Sequence, residues 1–206
     1  MKAEQRRWES TSGWSKPLTG KLEEACQIVF AFGGSKLVSI PQTFETLKQL
    51  YPDSHILLCS TAGEILNTTV TDNSLVATAV HFSKTSLQFS QTKVSRAEDS
   101  YDAGKELAKQ LPGQDLVHVM VFSDGLHING TALVKGLTEI LPDTVSVTGG
   151  LVGDGSDFKH TFAWCWYRQK KIMCFLNWTE NRPSPYIKSI WVKRRQGCPV
   201  PGCFFH

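Results

Sequence analysis

Apolar residues along this chain gather in short runs, and each run ends in a cluster of small or polar residues. CQIVFAFGG, over 26–34, is an apolar stretch closed by two glycines, the pattern of a buried strand ending in a tight turn. HILLCSTAGE (55–64), DLVHVMVFSDG (115–125) and TVSVTGGLVGDG (144–155) repeat that design. They predict strands near 26–32, 55–60, 115–122 and 144–149. Segments of helical period lie between them. Pro41 suits a first helical turn, Phe44, Leu47 and Leu50 give that helix an apolar stripe, and Tyr51-Pro52 stops it. AEDSYDAGKELAKQL (97–111) carries acids early and lysines late, with Pro112-Gly113 beyond its end. INGTALVKGLTEIL (128–141) sets Leu133, Val134, Leu137, Ile140 and Leu141 on one face before Pro142-Asp143. SLVATAVHF (74–82) and SLQFSQTKV (86–94) lie three residues apart, and the alternation of the second predicts a hairpin.

Strands alternating with helices predict an α/β fold, a mixed and largely parallel sheet flanked by helices, with the hairpin making it mixed. The four apolar strands then share one sheet with their carboxyl ends on one edge. Ligands of open α/β sheets sit at that edge. The loops FGGS, CSTAGE, FSDG and TGGLVGDG would meet there. Glycines let backbone N–H groups approach a ligand, and helix N-termini favour anionic groups. One glycine after a strand is ordinarily a turn; four such loops on one edge also describe a binding site.

Composition divides the chain. Its 206 residues are 41% hydrophobic and 20% charged, which fits a globular protein of one domain or one and a half. No run reaches the ~18 apolar residues of a membrane-spanning helix. The start, MKAEQRRWESTSGW, is basic enough for a signal n-region, but no apolar run follows it, so a cytoplasmic protein is expected. Residues 1–161 carry 14 Lys+Arg against 18 Asp+Glu, whereas 162–206 carry 8 against one acid, Glu180. Cys165, Cys174, Cys198 and Cys203 fall in that basic tail, as do Trp164, Trp166, Trp178 and Trp191. The expected division is a partly ordered segment over 1–25, an α/β domain over 26–161, and an atypical tail over 162–206.

Several side chains invite chemistry, each beside a plainer reading. Cys59 at a strand end would need a base such as His81, His118 or His127 to act as a nucleophile; the plainer reading is a small buried residue. His118 falls inside an apolar strand, as a core or edge histidine would, and His127 lies in a loop. Glu64, Asp124 and Asp154 each occupy a strand-end loop. Converging, they would bind a divalent metal or the ammonium of an amino acid; apart, Asp124 and Asp154 are the turn residues of Asp-Gly pairs. Cys198, Cys203 and His206 suggest zinc, but no CxxC occurs and Cys165 and Cys174 are poorly spaced as a second pair. A disulfide framework is not expected without a secretion signal, and VKRRQ reads as a solvated run rather than a nucleic-acid patch.

CSTAGEI at 59–65, FSDGLHINGTALVKGL at 122–137 and VTGGLVGDGSDF at 147–158 together resemble the N-terminal half of the FIST domain. The resemblance spans residues 26–161. It implies a sensory, signal-transduction module that binds a small ligand, amino acids among the candidates, and relays to a signalling or adaptor protein. In eukaryotes the domain also stands beside an F-box, which implies an adaptor of substrate-receptor type as the alternative. The chain departs from the family in three ways. Its N-terminal segment is too short for an F-box, no output domain is present, and beyond Thr161 the pattern gives way to the basic tail. Such a tail is expected of a frameshifted, alternatively spliced or truncated product. Absent Ser-His-Asp order and absent Walker and Rossmann fingerprints weigh against the common enzymes, leaving a Cys59 or Asp124–Asp154 enzyme as the third class. Sensing is the leading expectation, with no cofactor, metal, nucleic acid or membrane as partner. In that picture Gly149, Gly150 and Gly153, with Ser60, Thr61 and Gly63, present donors to an anionic group. Glu64, Asp124 and Asp154 hold the cationic end, Asn129 at the next helix start orients the ligand, and Ser123 lines the FSDG loop. Gly150 is expected to need a positive φ.

Overall fold

The computed structural model describes residues 1–166, apart from Thr19, Glu23, Ser86 and 112–114, and the backbone of 175–178. The N-terminal half runs β1 (Lys2–Glu9), β2 (Gly13–Trp14), β3 (Ile28–Gly34), α1 (Ser35–Val38), α2 (Pro41–Leu50) and β4 (His55–Thr61). Then come β5 (Glu64–Leu66), β6 (Thr69–Thr71), β7 (Leu75–His81) and β8 (Leu87–Ser90). The rest is α3 (Ser100–Gln110), β9 (His118–Ser123), α4 (Gly130–Ile140), β10 (Ser146–Leu151), β11 (Ala163–Trp166) and β12 (Phe175–Trp178). The class is α/β, as the alternation of strand and helix signals predicts.

The four strand-end runs do not share one sheet. β3 and β4 lie in a six-stranded sheet ordered β11-β4-β3-β7-β1-β2, and β9 and β10 lie in a four-stranded sheet ordered β10-β9-β12-β8. Among the described residues only β3–β4 and β9–β10 pair in parallel; every other pairing is antiparallel, so the expected largely parallel sheet is corrected. The expected hairpin is likewise split. β7, buried along most of its length, needs a neighbour on each side and finds β3 and β1, whereas β8 pairs with β12 in the other sheet. The segment over 1–25 is integral here, because β1 pairs with β7 from Lys2↔His81 to Trp8↔Leu75. The sheet also continues past 161, where β11 pairs with β4 from Ala163↔Cys59 to Trp166↔Ile56. Cys165 on β11 is buried and disulfide-bonded, against the expectation of no disulfide. Cys174, Cys198, Cys203, His206 and the VKRRQ run lie outside the described residues.

The period-2 rule explains the layering. On β3 and β4, Val29, Ala31, Ile56 and Leu58 face α2 and pack with its Phe44 and Leu47. Their alternates Ile28, Phe30, Leu57 and Cys59 face the other sheet and meet Met120 of β9 and Val152. Val119 and Val121 point the opposite way, to Leu107 of α3 and Leu133 and Leu137 of α4. The two sheets are therefore stacked between two helical layers, and strands covered on both faces read as continuous apolar runs. Each fully buried Leu or Ile contributes about 1.5–3 kcal/mol relative to exposure. α3 and α4 cross closely because Gly104 and Gly136 lack side chains. A Cβ on Gly136 would stand 2.0 Å from the Tyr101 carbonyl oxygen, and one on Gly104 2.2 Å from that of Leu133. No helix among the described residues is long and apolar enough to cross a membrane.

Candidate functional site

Although they belong to different sheets, the carboxyl ends of β4 and β10 come together. Ser60 makes the junction. Its hydroxyl donates to the Gly153 carbonyl at 2.6 Å and accepts from the Phe162 N–H at 2.9 Å. Its own carbonyl accepts from Gly153 N–H at 3.2 Å, and its N–H donates to the Phe162 carbonyl at 2.8 Å. One fully buried serine thus fastens the CSTAGE loop, the GGLVGDG loop and the start of β11.

Beside this clasp lies a cleft of about 570 Å³, walled by Phe32, Met120, Phe122, Ser60, Thr61, Ala62 and the continuous backbone from Thr148 to Gly153. Phe32 and Phe122 pack against each other, with ring centroids 6.0 Å apart and planes tilted by 51°. No charged side chain lines the cleft. Of the eleven residues expected at the site, Ser60, Thr61, Gly149, Gly150 and Gly153 line it, and Gly63, Glu64, Ser123, Asp124, Asn129 and Asp154 do not. The apolar walls Phe32, Met120, Phe122, Leu151 and Val152 are not among the residues singled out from the sequence. Their signal was the alternation itself, which places Phe32 with Phe30 and Phe122 with Met120 on the inter-sheet side.

The adjacent glycines differ. Gly149 has φ +145°, and a Cβ there would fall 1.8 Å from the Val121 carbonyl oxygen, so only glycine lets β10 lie against β9. Gly150 has no positive φ, and a Cβ built on it meets nothing within 4 Å. The expected strain at Gly150 is therefore corrected: the conformational demand belongs to Gly149, and Gly150 leaves space.

Protein groups already satisfy the three acids. Glu64, 1% exposed, accepts from the Thr61 hydroxyl at 2.7 Å and from the Ser74 N–H and hydroxyl, both at 3.0 Å. Asp124 accepts from the Leu126 and His127 N–H groups, the Thr161 hydroxyl and the His127 ring. Burial alone would raise its pKa, but those donors outweigh burial and hold it below the usual carboxylate range. Asp154 is held down to about 2 by the His160 N–H, the Ser35 hydroxyl and the Lys159 N–H. Each acid shapes its own loop, and among the described residues no three His, Cys, Asp or Glu side chains gather as a metal site. Asn129 caps α4, accepting from the Ala132 N–H at 3.0 Å. Ser123 is 1% exposed, and its hydroxyl has no partner among the described residues.

Elsewhere the chemistry is equally committed. Cys59 is fully buried between the sheets, and burial pushes its thiol far above the ordinary range, opposite to what a nucleophile needs. His118 bonds Thr148 at 2.8 Å, with its pKa lowered by burial, and His81 reaches the Ala25 carbonyl at 2.8 Å. A second cleft, about 220 Å³, is bordered by Glu4, Arg6 and Tyr51, which bond one another.

The FIST N domain family model matches residues 27–173 of this chain. No curated protein matches it.

Proposed function

The chain belongs to the FIST N domain family, which is associated with signal transduction, and on that premise we propose that it is a sensory module whose ligand enters the cleft between its two sheets. The ligand is a small, amino-acid-like molecule, and occupancy is relayed to a signalling or adaptor protein. The observation that carries this reading is the cleft itself: about 570 Å³ of space, within the ~300–1,000 Å³ of ligand pockets, beside the junction of the β4 and β10 strand ends. Apolar side chains line it and backbone amides border it, so it offers a ligand a dry body and a hydrogen-bonding edge. Relay has a physical route through Ser60, which joins the cleft to Phe162 and so to Trp164, stacked on Phe162 with ring centroids 6.0 Å apart.

A thermal-shift screen of the free amino acids and of their uncharged N-acetyl amides tests this. A ligand at a hundredfold excess over its Kd raises apparent stability by about 2.7 kcal/mol, which a melt resolves easily. Gly150→Val fills the open space beside the strand and should abolish the shift while leaving the unliganded melt in place. No shift with any compound, or a shift that survives Gly150→Val, would remove the cleft from the account.

A further inference from the structure

We propose that the cleft takes its ligand as a strand: a short, uncharged, extended peptide segment that pairs with the edge of β10 left open among the described residues and lays an apolar side chain against Phe32 and Phe122. This rests on the preceding reading that the cleft is the ligand site, and it names the chemical class.

Among the described residues β10 is the last strand of its sheet, with β9 as its sole strand neighbour. At its two ends, Ser146 donates to the Val117 carbonyl at 3.0 Å and Val152 to that of Ser123 at 2.9 Å. Alternation then turns the N–H and C=O groups of Val147, Gly149 and Leu151 away from β9. Thr148, Gly149, Gly150 and Leu151 are all exposed, with Leu151 at 49%. Proteins ordinarily blunt such an edge with a charge, a proline or a covering element. SVTGGL has neither charge nor proline, and among the described residues no strand covers it. The same run of backbone borders the cleft, so an added strand would lie along the apolar wall.

Charge selects the occupant. With no charged side chain in the cleft or on β10, nothing there compensates the ends of a zwitterion or an ionised side chain. A neutral peptide brings its own donors and acceptors, already spaced to match a strand edge, and apolar side chains to match Phe32, Met120 and Phe122. Glu64, Asp124 and Asp154 play no part in this recognition, since protein donors hold all three.

The full chain is titrated with acetyl-Val-Leu-Val-amide, its fully N-methylated form, the analogue with Lys at the centre, and free leucine, following backbone amide resonances. The parent peptide should shift the amides of Gly149 and Leu151. N-methylation removes every donor while adding apolar surface, and should weaken binding tenfold or more. The central Lys should do the same, as should Leu151→Lys with an unchanged melt. Equal binding by the N-methylated peptide overturns strand pairing. Free leucine binding in a Gly150→Val-sensitive way while the parent peptide does not bind overturns the peptide class and leaves the cleft reading standing. Failure of both overturns both readings. A concentration-dependent dimer abolished by Leu151→Lys assigns the edge to a second copy of the chain and overturns the proposal.

Discussion

Gly149 and Gly150 are neighbours in one strand, yet replacing each should have opposite consequences. In Gly149→Ala the new Cβ would lie 1.8 Å from the Val121 carbonyl oxygen and 2.7 Å from its carbon, at a φ of +145°. Backbone cannot yield as the tip of a side chain can. The conformation costs an L-residue ~1–3 kcal/mol, and relieving the overlap costs a further ~1–3 kcal/mol. Reduced freedom of the unfolded chain returns only about 0.4–1 kcal/mol. The net loss is ~1–5 kcal/mol, or roughly 3–20 °C in Tm for a chain of this size. In Gly150→Val the Cβ meets nothing within 4 Å and φ is ordinary, so the melt should stay within about 2 °C of the parent. Parallel thermal and urea denaturation, followed by far-UV circular dichroism, measures both. Should Gly150→Val lose as much stability as Gly149→Ala, the placement of β10 against β9 is wrong, and the space assigned to the ligand is wrong with it.

Three further outcomes follow from single contacts. Ser60→Ala removes the donor to Gly153 and the acceptor for Phe162 at one stroke, costing about 1–3 kcal/mol, and hydrogen exchange should rise first at the Phe162 and Gly153 amides. Gly136→Ala gains ~1 kcal/mol of helix propensity but forces a Cβ to within 2.0 Å of the Tyr101 carbonyl oxygen, so the stability obtained from urea unfolding should fall by a net of up to ~2 kcal/mol. Asp154 has a folded pKa of about 2 against the ordinary 3.8, so its tether is fully present above about pH 4 and is lost as pH falls through that interval. Protection of the Lys159 and His160 amides, taken relative to their intrinsic exchange rates, should fall below pH 4 in the parent and be low at every pH in Asp154→Asn; pH-independent protection in the parent would refute the tether.

Much of the fold was legible because its signals are local. The apolar runs at 26–32, 55–60, 115–122 and 144–149 each contain most of a strand, and of the expected helical stripes Phe44, Leu47, Leu133, Leu137 and Leu141 are buried whereas Leu50, Val134 and Ile140 are exposed. Sheet membership was not legible, because it depends on which distant strands compete for an edge. β3 reads as a buried parallel strand whether its second neighbour is β9 or β7. What places β7 there is Ala77 and Ala79, small enough to pack beside Val29 and Ala31 under α2, together with the long pairing of β1. Likewise the split of β7 from β8 leaves no mark in a three-residue connection that would suit a hairpin equally well. The close crossing of α3 and α4 was present in the sequence only as Gly104 and Gly136, each ambiguous until the other helix is in place.

The site shows the same asymmetry in sharper form. Reading from sequence favours side chains that carry charge, because a carboxylate announces chemistry and an amide N–H does not. In the fold, an acid at a strand end is more urgently needed to satisfy the amides of its own loop. Asp154 does this for Lys159 and His160, Asp124 for Leu126 and His127, and Glu64 for Ser74. A loop that turns without regular pairing must satisfy its buried N–H groups somewhere, and a short acid two to ten residues away is the nearest solution. Once spent in this way, the acids hold the loops in the shape that brings Ser60 to Gly153. Under the proposed function, recognition falls to what those loops leave open among the described residues: a neutral strand edge beside two phenylalanines. The motif VTGGLVGDG therefore divides its labour, with Asp154 fixing the loop, Gly149 seating the strand, and Gly150 leaving open space beside it.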